Sequence, residues 1–259
     1  MRIALGIEYD GSAYCGWQRQ AEGMTVQGRV EAGLSTVADH PVSVVCAGRT
    51  DTGVHAMTQV VHFDTDAHRS DANWVRGANA NLPHDVRVQW SARVDEHFHA
   101  RFSARRRSYR YIILNRPVAS AILRQRVCHE YRPLDHVRMQ AAACALVGEH
   151  DFTSFRAAGC QAKSPRREIY RLDVTRSRDC VYIDVEANAF LHHMVRCIAG
   201  VLLAIGRGEQ PVDWAVELLE ARDRTLSGVN APPGGLYLVN VMYDPAWQLP
   251  AEPRLPVFG

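Results

Sequence analysis

The chain has 259 residues, a formal net charge of +2 and 47% hydrophobic residues, which is an ordinary composition for a globular protein. No stretch approaches the roughly 18 apolar residues of a membrane span, and Glu8 and Asp10 come too early for a signal peptide. The seven scattered cysteines include no C-x-x-C pair, which argues against a disulfide framework and a zinc ribbon. We therefore expect a cytoplasmic protein without a membrane partner.

The first half of the chain alternates between predicted strands and helices. Residues 3–9 form a strand, and Thr25 caps a helix whose apolar face carries Val26, Val30, Leu34 and Val37 and which ends before Pro41. The next predicted elements are strands over about 42–48 and 59–65, a short helix from 71 that ends before 83, and strands over 86–90 and 108–114.

The second half contains the same kinds of element. The pattern predicts a helix from 135 to near 148, strands over about 168–176 and 180–187 joined by a hairpin-length turn, an apolar helix over 190–205, a helix from 213 and a strand over 236–243. This order favours the α+β class with two similar halves, each a mainly antiparallel sheet with helices on one face. We expect halves at 1–104 and 105–245 and an irregular tail at 246–259.

Basic residues cluster in two segments, although the net charge is small. One is "HFHARFSARRRSYRYIILN", in which arginines alternate with aromatic residues, and the other is "KSPRREIYR". Arginine next to aromatic rings suits phosphate contact combined with base stacking. The alternative is a solvated strand face whose tyrosines point to a core, and composition alone does not decide between them.

A single carboxylate, Asp51, lies in the glycine-flanked stretch "CAGRTDTGVHA" between two apolar runs. The simplest explanation is a turn aspartate that bonds its own backbone. Arg49, however, would lie on the same side of an extended chain, and a half-buried carboxylate without a partner is costly. A guanidinium partner would lower the pKa of Asp51 and make it a nucleophile or base.

Other chemistries fit these residues less well. The D-T-G triplet occurs in aspartic proteases, but that reaction needs two carboxylates and this chain has one such triplet. The pair His97 and His99 has strand spacing, while His192 and His193 are adjacent on a predicted helix and should point apart. We therefore predict no metal site, and phosphate-binding glycine loops are absent from the sequence.

Arg196 interrupts the otherwise apolar predicted helix over 190–205. It could extend along the edge of the apolar stripe and place its head in water. It could also be a buried guanidinium that pairs with a carboxylate, for which Asp51 is the obvious candidate. The spacing does not decide between these two interpretations.

Seven collinear motifs together resemble a tRNA pseudouridine synthase of the TruA family. They span residues 3 to about 243 and read "IEYDGSAYCGWQRQ", "GRTDTGVHA", "NANLP", "FHARFSARRRSYRYIILN", "DFTSFR", "NAFLHHMVR" and "GLYLV". One departure is Thr52, where the family pattern usually has alanine, so the fine geometry beside the carboxylate is in question.

The resemblance implies isomerisation of uridine to pseudouridine at positions 38 to 40, in the anticodon arm of tRNA, without a metal or cofactor. It also implies two α+β halves flanking a basic catalytic cleft, and a homodimer with tRNA lying across both subunits. Asp51 matches the essential aspartate of the family. A non-catalytic RNA-binding protein on the same scaffold, or a carboxylate-dependent hydrolase of a nucleoside or peptide, are the alternative functions.

The same resemblance assigns roles to residues that bind substrate. Tyr109 would stack on the target base, Arg49 and Arg196 would hold the aspartate and help to open the RNA, and Leu236 would line the pocket. The residues matching tRNA-contacting segments are Phe98, His99, Ala100, Arg101 and Phe102, and Gly159, Cys160, Gln161, Ala162 and Lys163.

Overall fold

The computed structural model describes residues 1–228, 230–250 and 255–258. The chain is of mixed α+β class, with mostly antiparallel strands and five α-helices in the described part. It divides into two compact units, each described by itself: unit 1 is Met1–Arg107 with Tyr237–Pro256, and unit 2 is Ser108–Leu236 with Val257–Gly259. None of the described helices combines the length and apolar character needed to cross a bilayer.

The strands and helices follow one another along the chain with short connections. In chain order they are β1 Arg2–Tyr9, α1 Val26–Ala38, β2 Val45–Cys46, β3 His55–Asp64, α2 Asp71–Asn81, β4 Val86–Val94, β5 Arg106–Asn115, β6 Cys128–Glu130, α3 His136–Cys144, β7 Gly148–Asp151, β8 Arg166–Ser177, β9 Cys180–Ala187, α4 Met194–Gly206, α5 Trp214–Ala221 and β10 Leu236–Met242.

In unit 1 the hydrogen-bonded strand order is β4-β1-β3-β10, with β2 on β3. Strand β1 is antiparallel to β3 and β4, whereas β3 and β10 pair in parallel through His55 and Tyr237. Helix α1 begins where predicted, because the Thr25 hydroxyl accepts a hydrogen bond from the Gly28 N–H at 3.3 Å. It ends at Asp39, which adopts the left-handed conformation with φ 62°.

In unit 2 the strand order is β5-β9-β8-β7, with β6 parallel to β5. The hairpin of β8 and β9 confirms the two strands predicted around 168–187. Helix α4 is almost entirely buried, as its apolar sequence predicts, but it begins at Met194 rather than at Phe190. The helix begins late because His193, the residue before it, has a left-handed backbone with φ 64°.

The predicted strands on either side of Asp51 differ from the structure. The strand expected over 42–48 is reduced to the two residues of β2, and β3 begins at His55 rather than near 59. The earlier start of β3 comes from β1, since Tyr9 pairs with Ala56 across the ladder. Strands β6 and β7 have three and four residues and were not predicted, because so short a segment shows no periodicity.

Candidate active site

Asp51 lies in a tight turn between β2 and β3, in unit 1. Its carbonyl accepts a hydrogen bond from the Val54 N–H at 3.1 Å, and the residue is half-buried. Arg49 is exposed and makes no hydrogen bond or ion pair with any residue in the described ranges. The ion pair that the two-residue spacing predicts is thus not formed, because Arg49 extends into solvent from this irregular segment.

The residue before Asp51 is anchored from two sides. The Thr50 hydroxyl shares a hydrogen bond of 2.7 Å with the Tyr9 hydroxyl, and the Thr50 carbonyl accepts from the Trp17 N–H at 3.0 Å. Gly16 makes this approach possible, since its φ is +87° and a Cβ there would lie 2.8 Å from the Thr50 oxygen. These contacts fix the backbone that carries Asp51.

The other end of the turn is held by the segment after β1. A Cβ on Gly11 would lie 1.9 Å from the Val54 carbonyl oxygen, so only glycine fits beneath the turn. The Nδ1 atom of the buried His55 lies 3.1 Å from the Gly11 nitrogen and 3.1 Å from an Asp10 carboxylate oxygen. The pKa of Asp10 lies well below its usual range, mainly because of the hydrogen bond with His55.

The strand that leads into the turn is fixed by two buried polar side chains. The Gln59 side-chain amide donates to the Gly48 carbonyl at 2.5 Å. The Arg107 guanidinium donates to the Ala47 carbonyl at 2.9 Å and to the Arg101 carbonyl at 2.9 Å. Arg107 therefore connects the approach to the turn with the predicted RNA-contacting segment of the same unit.

That segment, 98–102, is folded around two histidine nitrogens. The Ala100 N–H donates to Nδ1 of His62 at 3.1 Å, and the Arg101 and Phe102 N–H groups donate to Nδ1 of His99 at 3.2 Å. Both rings must be neutral to accept these bonds. Burial lowers the pKa of His62 to about 4, with the positive charge of Arg2 as a further cause. Phe102 is exposed and stacks on the His99 ring at 4.3 Å.

The three other predicted substrate-binding residues belong to unit 2. Tyr109 lies on β5, 8% exposed, and packs edge-on against Phe190 with ring centroids 5.0 Å apart. Arg196 is half-buried on α4 and donates from Nε to the Ala231 carbonyl at 2.9 Å. Leu236 begins β10 and is 6% exposed.

The second predicted RNA-contacting segment, Gly159–Lys163, forms an irregular connection before β8. Gly159, Gln161 and Lys163 are exposed, while Cys160 and Ala162 are half-buried. Lys163 makes no ion pair or hydrogen bond within the part of the chain that the structure covers, so its charge is available to a ligand.

The adjacent histidines of unit 2 do not point apart as predicted. They precede α4 instead of lying on it, and the rings of His192 and His193 are 4.1 Å apart between centroids. Neutral imidazoles are common metal ligands, so the prediction that this chain has no metal site stays a prediction.

No sequence pattern predicts the side chains that support the turn. Tyr9, Gln59 and Arg107 are buried polar groups whose partners are backbone or hydroxyl atoms distant in sequence, and no local pattern marks such contacts. The glycines of "YDGSAYCGW" were the available signal, because two glycines near an apolar strand indicate close backbone approach.

Comparisons with known proteins agree with the motif pattern. A family model described as tRNA pseudouridine synthase matches residues 6–103 and 142–244. The chain is similar to "tRNA pseudouridine synthase A" of Coxiella burnetii, with 59% identity over 257 residues, covering 99% of this chain and 98% of that protein. The protein of the same name from Hydrogenovibrio crunogenus is 55% identical, covering 96% and 95% of the two chains.

A third relative extends the similarity across the full chain. The protein named tRNA pseudouridine synthase A of Aeromonas hydrophila is 54% identical over 258 residues, covering 100% of this chain and 96% of that one. Sequence identity at this level over nearly complete chains supports the same family as the family model and the motifs around Asp51 do. The chain therefore belongs to the tRNA pseudouridine synthase family and is an isomerase that acts on tRNA.

Proposed function

We propose that this chain converts uridine to pseudouridine at positions 38, 39 and 40 of the tRNA anticodon stem-loop, with the Asp51 carboxylate as its one catalytic acid group and no cofactor. The observation that carries the proposal is the construction of the Asp51 turn. Backbone on both sides of a half-buried carboxylate is fixed by hydrogen bonds and by glycine contacts. Such a rigid support is what a carboxylate needs to meet one atom of a substrate reproducibly.

The reaction explains why no cofactor is required. Uridine and pseudouridine are isomers, so the N1–C1′ bond breaks, the base turns, and C5 joins C1′ without loss or gain of a redox equivalent. The base remains bound and serves first as leaving group and then as nucleophile. The hydrogen on C5 is released to water, while N1 gains one.

Two roles are open to the Asp51 carboxylate in this sequence. It can attack or stabilise the cation-like C1′, as carboxylates do in glycosidases, or it can remove a proton from the sugar to start an elimination. Both roles need the ionised form. The proposed function does not depend on which of them operates.

The target base must also leave its stack before C1′ becomes accessible, at a cost of a few kcal/mol. We propose that the Tyr109 ring takes up the base and that Leu236 lines its pocket, because a base stacked on an aromatic ring recovers about 1–3 kcal/mol. Arg49 and Arg196 are proposed to contact the opened RNA. The segments 98–102 and 159–163 are proposed to hold the surrounding tRNA, since both expose side chains that suit phosphate or base contact.

Tritium release from tRNA labelled with [5-³H]uridine tests this proposal. Asp51→Ala should keep tRNA affinity and release no tritium above background, because the backbone contacts of the turn do not use its side chain. Asp66→Ala is the matched control, since Asp66 is an exposed aspartate of the same unit without an ion pair in the described ranges. Equal release by both variants would contradict the proposed role of Asp51.

Three further parts of the proposal have their own measurements. Transcripts with uridine at only one of positions 38, 39 and 40 should each release tritium, and a transcript lacking all three should release none. We propose a homodimer that binds tRNA across both subunits, which light scattering of the free protein tests. A cytoplasmic location is proposed because tRNA is modified there, and fractionation of cells tests it.

A further inference from the structure

A concave pocket lies in unit 2, formed by three chain segments. Its volume is about 230 Å³. The segments are the connection after Phe155, the first turn of α4 and the loop before β10. The side chains that define it are Arg156, His193, Cys197, Arg224, Ser227 and Asn230.

The side chains that line this pocket carry a net positive charge. The guanidinium groups of Arg156 and Arg224 make no hydrogen bond or ion pair with any residue that the structure describes. The acidic residue nearest to Arg224 along the chain is Asp223, whose exposed carboxylate accepts from the Thr225 N–H and hydroxyl at 2.8 Å and makes no ion pair with Arg224. Among the residues that the structure describes, no acidic one lines the pocket.

The pocket also contains an oriented amide. The Asn230 oxygen accepts from the Cys197 thiol at 2.8 Å, and its nitrogen lies 3.1 Å from Nδ1 of His193. These two contacts fix which end of the amide carries the N–H groups, and one N–H remains without a partner in the described ranges. The charged and unpaired polar groups of the pocket are therefore donors: two guanidiniums and one oriented N–H.

A set dominated by cationic donors selects an anion that carries several oxygens. At about 30 Å³ per water, the volume equals that of about seven or eight waters, which is enough for a phosphate group with part of its sugar. Paired guanidinium groups match the oxygen geometry of phosphate particularly well. The pocket is also smaller than the roughly 300 Å³ at which sites for drug-sized apolar ligands begin.

We propose that this pocket binds one phosphate group of the RNA backbone, held jointly by Arg156 and Arg224. The proposal rests on the proposed function for its source of phosphate, since a tRNA substrate brings one phosphodiester per nucleotide. The two arginines position the RNA. Their loss should therefore change affinity and the dependence of affinity on salt, with little effect on the rate at saturation.

The test measures tRNA affinity as a function of salt for Arg156→Gln, Arg224→Gln and the double variant. Each single variant should bind about 5- to 10-fold more weakly at 150 mM salt and should lower the salt slope by about 0.7 to 0.9, the value for one phosphate contact. The double variant should lower the slope by little more than either single variant. If the double variant lowers the salt slope by twice as much as a single variant, the two arginines bind separate phosphates, and the proposal of a shared pocket is overturned.

Arg178→Gln is the matched control, because Arg178 is an exposed arginine of the same unit at the turn between β8 and β9. It should leave affinity and slope unchanged, and an equal loss would reduce the effect to general charge and overturn the proposal. Arg156→Lys and Arg224→Lys should recover most of the slope because they keep the charge. Failure of the lysine variants to recover it, with circular dichroism unchanged, would also overturn the phosphate assignment.

Competition with inorganic phosphate distinguishes two possible ligands of the pocket, a phosphate of the RNA and a free anion. At millimolar concentration it should displace tRNA from the wild type more strongly than from the double variant. Phosphate that binds the wild type at micromolar concentration without displacing tRNA would assign the pocket to a free anion and overturn the proposal. Tritium release is recorded in parallel, so an inactive wild type would refute the proposed function while the salt slope still reports on the pocket.

Discussion

Acidification should destabilise unit 1 through one buried histidine. His62 is 4% exposed, its Nδ1 accepts the Ala100 N–H, and its ring lies 4.8 Å from the His99 ring. Burial, together with the charge of Arg2, lowers the pKa of His62 from 6.5 to about 4. Protonation therefore costs more in the folded state than in the unfolded chain.

The sign and size of the effect follow from linkage. Because the folded pKa is depressed, the unfolded chain binds the proton first, so the contribution is fully present above pH 6.5 and declines as the pH falls towards 4. A shift from 6.5 to about 4 corresponds to about 3 kcal/mol in total, of which about 2 kcal/mol should be lost by pH 5. The segment 98–102 should loosen over the same range.

The assay is urea unfolding between pH 7.5 and pH 5, followed by tryptophan fluorescence. Four of the five tryptophans lie in unit 1, at positions 17, 74, 90 and 247, so the signal reports mainly on this unit. His62→Gln removes one titrating ring and should reduce the decline over this range, leaving the part that comes from the lowered pKa of His99. The exposed His68 is the control, and His68→Gln should keep the full decline.

Two results would refute this reasoning. One is a wild-type protein whose unfolding free energy does not change between pH 7 and pH 5. The other is a decline of equal size in the wild type and in His62→Gln, which would assign the proton uptake to another group.

Three other perturbations have defined outcomes. Tyr109→Phe should bind tRNA within about twofold of the wild type, because stacking of about 1–3 kcal/mol comes from the ring, and a large loss of affinity in a filter-binding assay would assign the role to the hydroxyl. Arg110→Ala should lower the unfolding free energy by about 3–5 kcal/mol in urea titration, because it leaves the buried Asp184 carboxylate unpaired. In the wild type Arg110 pairs with both oxygens of Asp184 at 2.7 Å. A loss below about 1 kcal/mol would show that water compensates for the missing guanidinium. EDTA should leave tritium release unchanged, and inhibition reversed by added zinc would make His192 and His193 metal ligands.

The sequence predicts those elements whose contacts are local or periodic. Helix α1 has a capping threonine and an apolar stripe, and the hairpin of β8 and β9 has two alternating runs around a tight turn, so both are found where predicted. The start of β3 depends on pairing with β1, and the start of α4 on a left-handed His193. Both are set by tertiary contacts, which periodicity does not encode.

The candidate site likewise contains some features that the sequence predicts and others that only the folded structure shows. The glycines and the lone aspartate of the turn are visible in the sequence, because they respond to local backbone geometry. The partner predicted for Asp51 within the unit, Arg49, makes no such contact. The supports that exist come from Tyr9 and Trp17, about forty and thirty residues away in the chain, and only the folded structure reveals them.

The most direct test of the central claim is a map of modified positions in tRNA after reaction with wild type and with Asp51→Asn. Carbodiimide labelling and primer extension detect pseudouridine at single-nucleotide resolution. We expect wild-type stops at positions 38 to 40 that disappear with Asp51→Asn while tRNA affinity is kept, because the amide cannot supply the negative charge. Stops of full strength at these positions with Asp51→Asn would contradict the account.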